Sequence, residues 1–212
     1  MIGKSKKPKI LIVGLGGIGS TLVDMLYPAL EICELESEIH LLDSDIVDER
    51  NIGHQKFSES DIGNHKVSTL AERYNSTNSK VKLVDIVDDL SESSQLESFD
   101  FVIVGVDRPL PRRLVHSHAK KWLDVRCMGD SYIAFDNTSS KEILNQLTPD
   151  HEPASCQYSN AILEKNIQFG FAMAAAHAAQ WCFQSIRSYH EFETKCPPPR
   201  AISLMCGELI TS

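Results

Sequence analysis

Short apolar runs alternate with longer amphipathic segments along most of the chain. The apolar runs predict buried strands at residues 9–13, 39–43, 81–86, 101–106 and 122–125. Between them, apolar residues recur at helical spacing in the segments "IGSTLVDMLYPALEI", "KVSTLAERYN" and "PRRLVHSHAKK". Regular alternation of strand and helix is typical of an α/β fold, so we predict a doubly wound, mostly parallel sheet.

The C-terminal part of the chain departs from this alternation. "MGDSYIAFDNT" predicts a further strand, and the polar, proline-containing residues 137–158 predict a mobile loop. "SNAILEKNIQFGFAMAAAHAAQWCFQSI" predicts one long helix, and its small residues indicate close packing against the sheet or another subunit. The tail after "KCPPPR" regains strand character. We therefore expect an antiparallel C-terminal extension of the sheet within a single domain of residues 1–212.

Composition excludes several classes of protein. With 21 basic and 29 acidic residues the formal net charge is -8, which disfavours general nucleic-acid binding. No segment approaches the roughly 20 apolar residues of a membrane span. The six cysteines form no C-x-x-C pair, so neither a disulfide scaffold nor a zinc site of paired cysteines is predicted. In the absence of a secretory signal we expect a reducing, cytoplasmic location.

A glycine-rich loop follows the first predicted strand. In "VGLGGIGS", Gly14 permits a tight turn, Gly16 lets the backbone approach a phosphate or sugar, and Gly19 lets the helix pack closely on the strand. Asp43 ends the second strand, where an acidic residue takes the ribose hydroxyls in a Rossmann-like fold. These features are compatible with NAD, FAD or ATP, so they predict a nucleotide site without naming the nucleotide.

The segment that follows, "DSDIVDERNIGHQKFSESDIGNHK", is more specific. The ordered blocks Gly-x-Gly-Gly-Ile-Gly-Ser, Asp-x-Asp-x-Val, Asn-x-x-x-Gln and Asp-Ile-Gly-x-x-Lys resemble the ThiF/MoeB/HesA adenylyltransferases, which are relatives of the ubiquitin-activating enzymes. The form "NIGHQKFSESDIGNHK" is similar to the short ThiF-like proteins of plasmids and phages, the PRTRC type. The resemblance runs from about Lys9 to about Ile186.

The resemblance implies a function and a set of site residues. The implied reaction adenylates the C-terminal carboxylate of a small ubiquitin-like β-grasp protein ending in Gly-Gly, uses ATP and Mg²⁺, and is carried out by a homodimer. The residues that match the nucleotide-binding positions of the family are Gly14, Gly16, Gly17, Gly19, Asp43, Asp45, Asn51, Gln55 and Lys66.

Three further positions carry chemistry in this resemblance. Asp107 matches the aspartate that positions magnesium and the α-phosphate, and Arg112 matches an arginine that usually follows it. Lys66 matches the lysine that offsets the triphosphate charge during adenylation. Cys156 matches a cysteine that some relatives use as an acceptor or sulfur-relay thiol, and a buried structural thiol is an equally good interpretation.

The chain departs from the family pattern in the phosphate block. His54 stands where the family has an arginine, and Arg50 is close enough in sequence to compensate. The family's N-terminal arginine helix has no counterpart before the first strand. These departures leave open a weakened ThiF-like binding module or a subunit of a heterodimer. An NAD-dependent oxidoreductase is a further alternative, in which the block from Asn51 to Lys66 has no role.

Overall fold

The computed structural model describes residues 7–150, 157, 161 and 163–210. Within these residues the strands are β1 (Lys9–Val13), β2 (Ser37–Leu42), β3 (Val81–Ile86), β4 (Phe101–Val104), β5 (Trp122–Met128), β6 (Ser131–Asp136), β7 (Arg200–Ser203) and β8 (Gly207–Ile210). The helices are α1 (Gly17–Ile32), α2 (Lys66–Tyr74), α3 (Pro109–His118), α4 (Lys141–Gln146) and α5 (Gly170–Tyr189).

All of these strands join in one sheet, in the order β3-β2-β1-β4-β5-β6-β7-β8. Neighbours from β3 to β5 are parallel, and neighbours from β5 to β8 are antiparallel. The predicted doubly wound, mostly parallel sheet with an antiparallel C-terminal extension is therefore confirmed. The strand order reverses between β1 and β4, so a crevice opens at the carboxyl ends of these two strands, where α/β sheets bind ligands.

Strand β1 shows why the sheet is covered on both faces. Ile10 and Ile12 belong to the apolar cluster that includes α1, α2 and α5, whereas Leu11 and Val13 belong to the cluster that includes α3 and α4. Successive side chains of a strand point to opposite faces, so an uninterrupted apolar run has to be buried on both. Helices on both faces satisfy this requirement and leave the carboxyl edge of the sheet uncovered.

The long C-terminal helix begins later than its sequence predicts. We expected it to include residues 159–169, but α5 starts at Gly170, so the prediction is wrong for residues 161 and 163–169, while residues 159, 160 and 162 lie outside the described residues. The Gly170 N–H donates to the Gly129 carbonyl at 2.9 Å, and a Cβ at this position would lie 2.5 Å from the carbonyl oxygens of Gly129 and Ser131. The turn between β5 and β6 therefore meets the chain at a point that only glycine fits, and the helix begins there.

The segment predicted as a mobile loop, residues 137–158, contains helix α4, so it is not without regular structure; its mobility stays a prediction, and residues 151–156 and 158 lie outside the described residues. The Ser140 hydroxyl accepts a hydrogen bond from the Ile143 N–H at 3.2 Å and caps the helix, while Leu144 is buried. The tail forms the predicted strands, as the β7–β8 hairpin. Across the described ranges, no helix has the length and apolar character needed to cross a membrane.

Asp124 on β5 is the centre of a buried charge cluster. It is fully buried and accepts hydrogen bonds from Arg112 and from Arg126, the latter at 2.6 Å, while His116 Nε2 lies 2.9 Å away. Burial alone raises the pKa of this carboxyl, but the Arg112 charge, the His116 contact and the Arg126 guanidinium outweigh it and hold the pKa well below its usual range. Arg112 also donates to the Val106 carbonyl, so the cluster holds the loop that follows β4.

We expect Asp124→Asn to destabilise the fold by about 3–5 kcal/mol, because it leaves buried cations without their counter-charge. Urea unfolding followed by circular dichroism measures the free energy of unfolding. Asp107→Asn is the matched control, since that carboxylate is exposed, and it should change stability by less than about 0.5 kcal/mol. Equal effects of the two substitutions would contradict the structural role of Asp124.

His177 on α5 is a buried histidine whose surroundings disfavour its charged form. Its Nδ1 lies 3.3 Å from the Tyr132 hydroxyl, and its Nε2 has no hydrogen-bond partner within the described residues. Burial lowers the pKa of His177 to about 4, with a further decrease from the Arg200 charge and a partial increase from Asp136. The folded protein therefore holds this imidazole neutral at pH values where an unfolded chain protonates it.

Because the folded pKa of His177 lies below the unfolded value of 6.5, protonation of the unfolded state should destabilise the protein as pH falls from about 6.5 to about 4. The shift corresponds to about 3 kcal/mol. Chemical denaturation over this pH range should show that His177→Gln loses about 3 kcal/mol less of its free energy of unfolding than the wild type does. The exposed His118→Gln control should follow the wild type. Parallel pH profiles for wild type and His177→Gln would show that His177 does not titrate in this way.

Candidate functional site

The glycine loop connects β1 to α1 at the crevice. Gly14 has a φ of +92°, and a Cβ there would lie 2.7 Å from Val106 Cγ1. A Cβ on Gly19 would lie 1.9 Å from the Gly14 carbonyl oxygen, so the helix approaches the strand as closely as backbone atoms allow. By contrast, no described atom lies within 4 Å of a Cβ built on Gly16. The loop is thus tightly packed at Gly14 and Gly19 and open at Gly16, which allows its backbone to approach a ligand.

Asp43, immediately after β2, fastens the loop to the neighbouring strand. Its Oδ2 accepts from the Leu15 N–H at 2.5 Å, and its Oδ1 accepts from the Asp45 N–H at 2.8 Å. Burial raises the pKa of Asp43, although the two backbone hydrogen bonds and the Lys66 charge act in the opposite direction. Each carboxylate oxygen keeps a second lone pair, so Asp43 can still accept a hydrogen bond from a ligand.

Lys66, the first residue of α2, presents a buried positive charge beside the loop. The residue is 4% exposed, and its Nζ lies 2.8 Å from Asp45 Oδ2. The Asp45 side chain is 59% exposed, so one partner of this ion pair is buried and the other faces solvent. Burying an ammonium group costs free energy unless an anion is paired with it. Here that anion is the Asp45 carboxylate, which faces solvent and can be replaced by the anion of a ligand.

The segment carrying His54 and Gln55 lies against the glycine loop. Lys56 N–H donates to the Ser20 hydroxyl at 3.1 Å, and that hydroxyl donates to the Gly16 carbonyl at 2.7 Å. Fully buried Ser20 therefore links the two segments. No role for Ser20 was predicted from the sequence, although it is the last residue of the glycine motif. A serine at the start of a helix has many uses, so the residue type alone did not indicate one.

Two buried polar atoms at this segment lack partners. His54 Nδ1 and Gln55 Oε1 form no hydrogen bond with any described residue. Such atoms are rare in folded proteins and often mark a place where a ligand or water completes the bonding. Burial lowers the pKa of His54, the Ile52 backbone raises it in part, and the Lys66 charge lowers it further. The imidazole is therefore held neutral beside the lysine.

The outer side of this segment is anchored by charge. Lys56 Nζ lies 3.1 Å from Asp24 on α1, and Arg73 on α2 donates to the Lys56 carbonyl at 2.6 Å and to Asp61 at 3.0 Å. An open cavity of about 520 Å³ adjoins it, lined by Gly53, Gln55, Lys56, Phe57, Ser58 and Arg73. Both neighbouring helices therefore hold the segment in place beside the crevice.

Asp107 lies across the crevice, in the loop after β4. Its side chain is exposed and makes no hydrogen bond or ion pair within the described part of the chain. The side chain of Val106, just before it, occupies the space that a Cβ on Gly14 would need, and the Val106 carbonyl accepts a hydrogen bond from Arg112. Arg112 is buried against Asp124, so its guanidinium positions this loop from below.

Two predicted site residues, Arg50 and Asn51, contact Asp48 instead of this group. The Arg50 side chain is 88% exposed and pairs with Asp48 at 2.7 Å. The Asn51 side chain accepts from the Asp48 N–H at 3.0 Å and caps a short 3-10 turn at Glu49–Asn51. Cys156 lies outside the described residues, and its role as an acceptor thiol stays a prediction.

A metal ion at this edge would need ligands in addition to the described protein residues. No set of three or more His, Cys, Asp or Glu residues in the described ranges could hold a metal ion. Magnesium is commonly bound by one or two carboxylates together with substrate phosphates. The unpaired carboxylate of Asp107 fits that mode, and it does not fit a site built from protein ligands alone.

Comparisons with known proteins agree with this arrangement. A sequence model of the ThiF family matches residues 3–202. The chain is 31% identical over 113 residues to the adenylyltransferase and sulfurtransferase MOCS3 of Arabidopsis thaliana, a match that covers 51% of this chain and 23% of MOCS3.

Solved structures share the fold over almost the whole chain. The crystal structure of PaaA matches with a TM-score of 0.69 at 17% identity, over 95% of this chain and 62% of PaaA. E. coli MccB with ATP matches with a TM-score of 0.67 at 19% identity, over 96% and 62%. MccB with AMPCPP and MccA matches with a TM-score of 0.67 at 18% identity, over 95% and 62%.

The relatives are longer than this chain. The sequence spans about a quarter of MOCS3 and less than two thirds of PaaA and MccB. At identities below 25% the solved structures establish a common fold and no more. The family model, in contrast, spans nearly the whole sequence and includes the glycine loop, Asp43, Lys66 and Asp107. The chain therefore belongs to the ThiF family.

Proposed function

We propose that the protein is an ATP-dependent adenylyltransferase that activates the C-terminal carboxylate of a small substrate protein or peptide as an acyl-adenylate. The observation that carries the proposal is the buried Lys66 ammonium, paired with a solvent-facing Asp45 beside the open glycine loop. A polyphosphate that enters the crevice can compete with Asp45 for this cation. The site thus offers the positive charge of Lys66 to a ligand once Asp45 is displaced, and no buried group has to move.

The nucleoside would lie over the glycine loop. The open space above Gly16 admits a phosphate or sugar, and the first turn of α1 offers unpaired N–H groups to an anion. Asp43 would accept hydrogen bonds from the ribose hydroxyls with the lone pairs that Leu15 and Asp45 leave free. The structure of MccB with ATP supports ATP as the nucleotide.

Adenylation needs charge compensation more than proton transfer. A carboxylate oxygen of the substrate attacks the α-phosphorus, the bond to the β-phosphate oxygen breaks, and pyrophosphate leaves with the electron pair. Lys66 would offset the negative charge that accumulates on the leaving group. Asp107 would hold Mg²⁺ together with the nucleotide phosphates, and that ion supplies Lewis-acid stabilisation when bound.

The relatives support a proposal for the substrate class. MccB has been crystallised with MccA, and MOCS3 combines adenylyltransferase and sulfurtransferase functions. We therefore propose a ubiquitin-like β-grasp protein with a C-terminal Gly-Gly as the carrier, and a homodimer as the active form. Both belong to the proposal and are tested with it.

A second candidate is a nucleotide-binding subunit with weakened catalysis. His54 favours it, because burial and Lys66 keep the imidazole neutral where the family has a permanent positive charge. Arg50 pairs with Asp48 at the surface and leaves that position uncompensated. Loss of a cation that acts mainly in the transition state lowers the rate while ground-state binding survives.

Titration calorimetry should show that ATP with Mg²⁺ binds and NAD does not. Asp43→Ala should weaken ATP binding by at least about tenfold, because hydrogen bonds to a charged group are lost together with the anchor of the glycine loop. Asp85→Ala removes an exposed carboxylate of β3 and is the matched control. Binding of NAD with no binding of ATP would support the oxidoreductase instead.

Lys66→Met should separate binding from catalysis. We expect the rate of ATP–pyrophosphate exchange, measured with β-grasp proteins ending in Gly-Gly, to fall by roughly 10²–10³. The dissociation constant for ATP should change by about tenfold or less. Lys80→Met, which removes the exposed partner of Glu34, should leave both quantities near the wild-type values.

The two candidates give different results in this assay. An adenylyltransferase shows exchange in the wild type that Lys66→Met abolishes. Nucleotide binding without exchange, in the presence of a carrier and with no further subunit, identifies the weakened module. Equal losses of binding and exchange in Lys66→Met would contradict a transition-state role for the lysine.

A further inference from the structure

The environment of His54 is unusual for a surface segment. Its Nδ1 is buried without a hydrogen-bond partner among the described residues, as is Oε1 of the adjacent Gln55. The ring faces Phe171 of α5, with centroids 6.5 Å apart and nearly perpendicular planes. The segment is held by the contact from Lys56 through Ser20 to Gly16. A neutral imidazole is therefore fixed next to the open glycine loop with part of its bonding unmet.

The charges around the imidazole come from few groups. From α2 the Lys66 ammonium acts on it, and that ammonium is paired with Asp45. From α5 it meets Phe171, which does not titrate. Within its own segment Lys56 is paired with Asp24 of α1. Burial is the main cause that lowers the pKa of His54, the Ile52 backbone raises it in part, and Lys66 is the charged group that lowers it further.

We propose that His54 takes up a proton when the polyphosphate of a nucleotide enters the site, so that nucleotide binding is coupled to protonation of this residue. An anion placed between Lys66 and His54 neutralises the repulsion from the lysine and provides an acceptor for an N–H of the imidazolium. The proton comes from solvent and no bond other than N–H is formed. The proposal rests on the proposed binding of ATP.

The coupling has a definite sign. Binding raises the affinity of His54 for a proton, so by linkage protonation of His54 raises the affinity for ATP by the same factor. Affinity for ATP should therefore increase as pH falls. A residue with the permanent charge of arginine shows no such dependence, because it stays protonated at every pH at which the protein is folded.

The experiment compares wild type, His54→Asn and His54→Arg by titration calorimetry with Mg·ATP. Between about pH 8 and about pH 5, the ratio of wild-type to His54→Asn affinity should rise towards about tenfold, the limit that a difference of about one pKa unit between bound and free protein sets. His54→Arg should bind with a pH-independent advantage over His54→Asn. Titration of ATP itself is common to all three proteins and cancels in the ratios.

Proton uptake supplies a second readout. In buffers of different ionisation enthalpy, the wild type should take up more protons per ATP bound than His54→Asn at the same pH. Thermal unfolding of each protein verifies that the variants fold. If His54→Asn does not fold, His54→Arg serves as the proton-independent reference.

The outcomes distinguish this proposal from the function on which it rests. If all three proteins bind ATP with constant affinity ratios and equal proton uptake, the coupling is wrong and ATP binding stands. If the wild type binds no ATP at any of these pH values, both proposals are wrong.

Discussion

The close approach of Gly19 to the Gly14 carbonyl positions the glycine loop on which the site is built. A Cβ on Gly19 would lie 1.9 Å from that oxygen, so α1 packs against the end of β1 at backbone distance. This contact places the open face of Gly16 at the reversal of strand order and Ser20 beneath the loop. Asp43 and the His54 segment then attach to the loop through hydrogen bonds.

Two buried cations illustrate how the same ion-pair chemistry serves different ends. Arg112 and Lys66 are both nearly inaccessible, and each is paired with an aspartate. The partner of Arg112, Asp124, is fully buried and also contacts His116 and Arg126, so this arrangement is locked. The partner of Lys66 is more than half exposed, so a ligand from solvent can replace it. Exchange is possible only where one member of the pair remains hydrated.

The ThiF signature is readable in the sequence because its residues lie at the ends of parallel strands. Glycines after β1, an aspartate after β2 and an aspartate after β4 converge wherever those strands are parallel neighbours. The start of α5 and the presence of α4 were missed for the opposite reason. The sequence of residues 159–169 was expected to continue the helix, but α5 begins at Gly170, where the backbone of Gly129 and Ser131 leaves no room for a Cβ.

By itself, the sequence determined the layered α/β architecture and the family, and it predicted a set of residues for a nucleotide site, since periodicity, glycine positions and strand ends are local properties of the chain. Tertiary structure alone decided which of those residues are available. It directed Arg50 and Asn51 to Asp48, buried Arg112 on Asp124, and left His54 Nδ1 unbonded among the described residues. The physical reason is that pairing and desolvation depend on groups distant in sequence, whose approach only the folded chain defines.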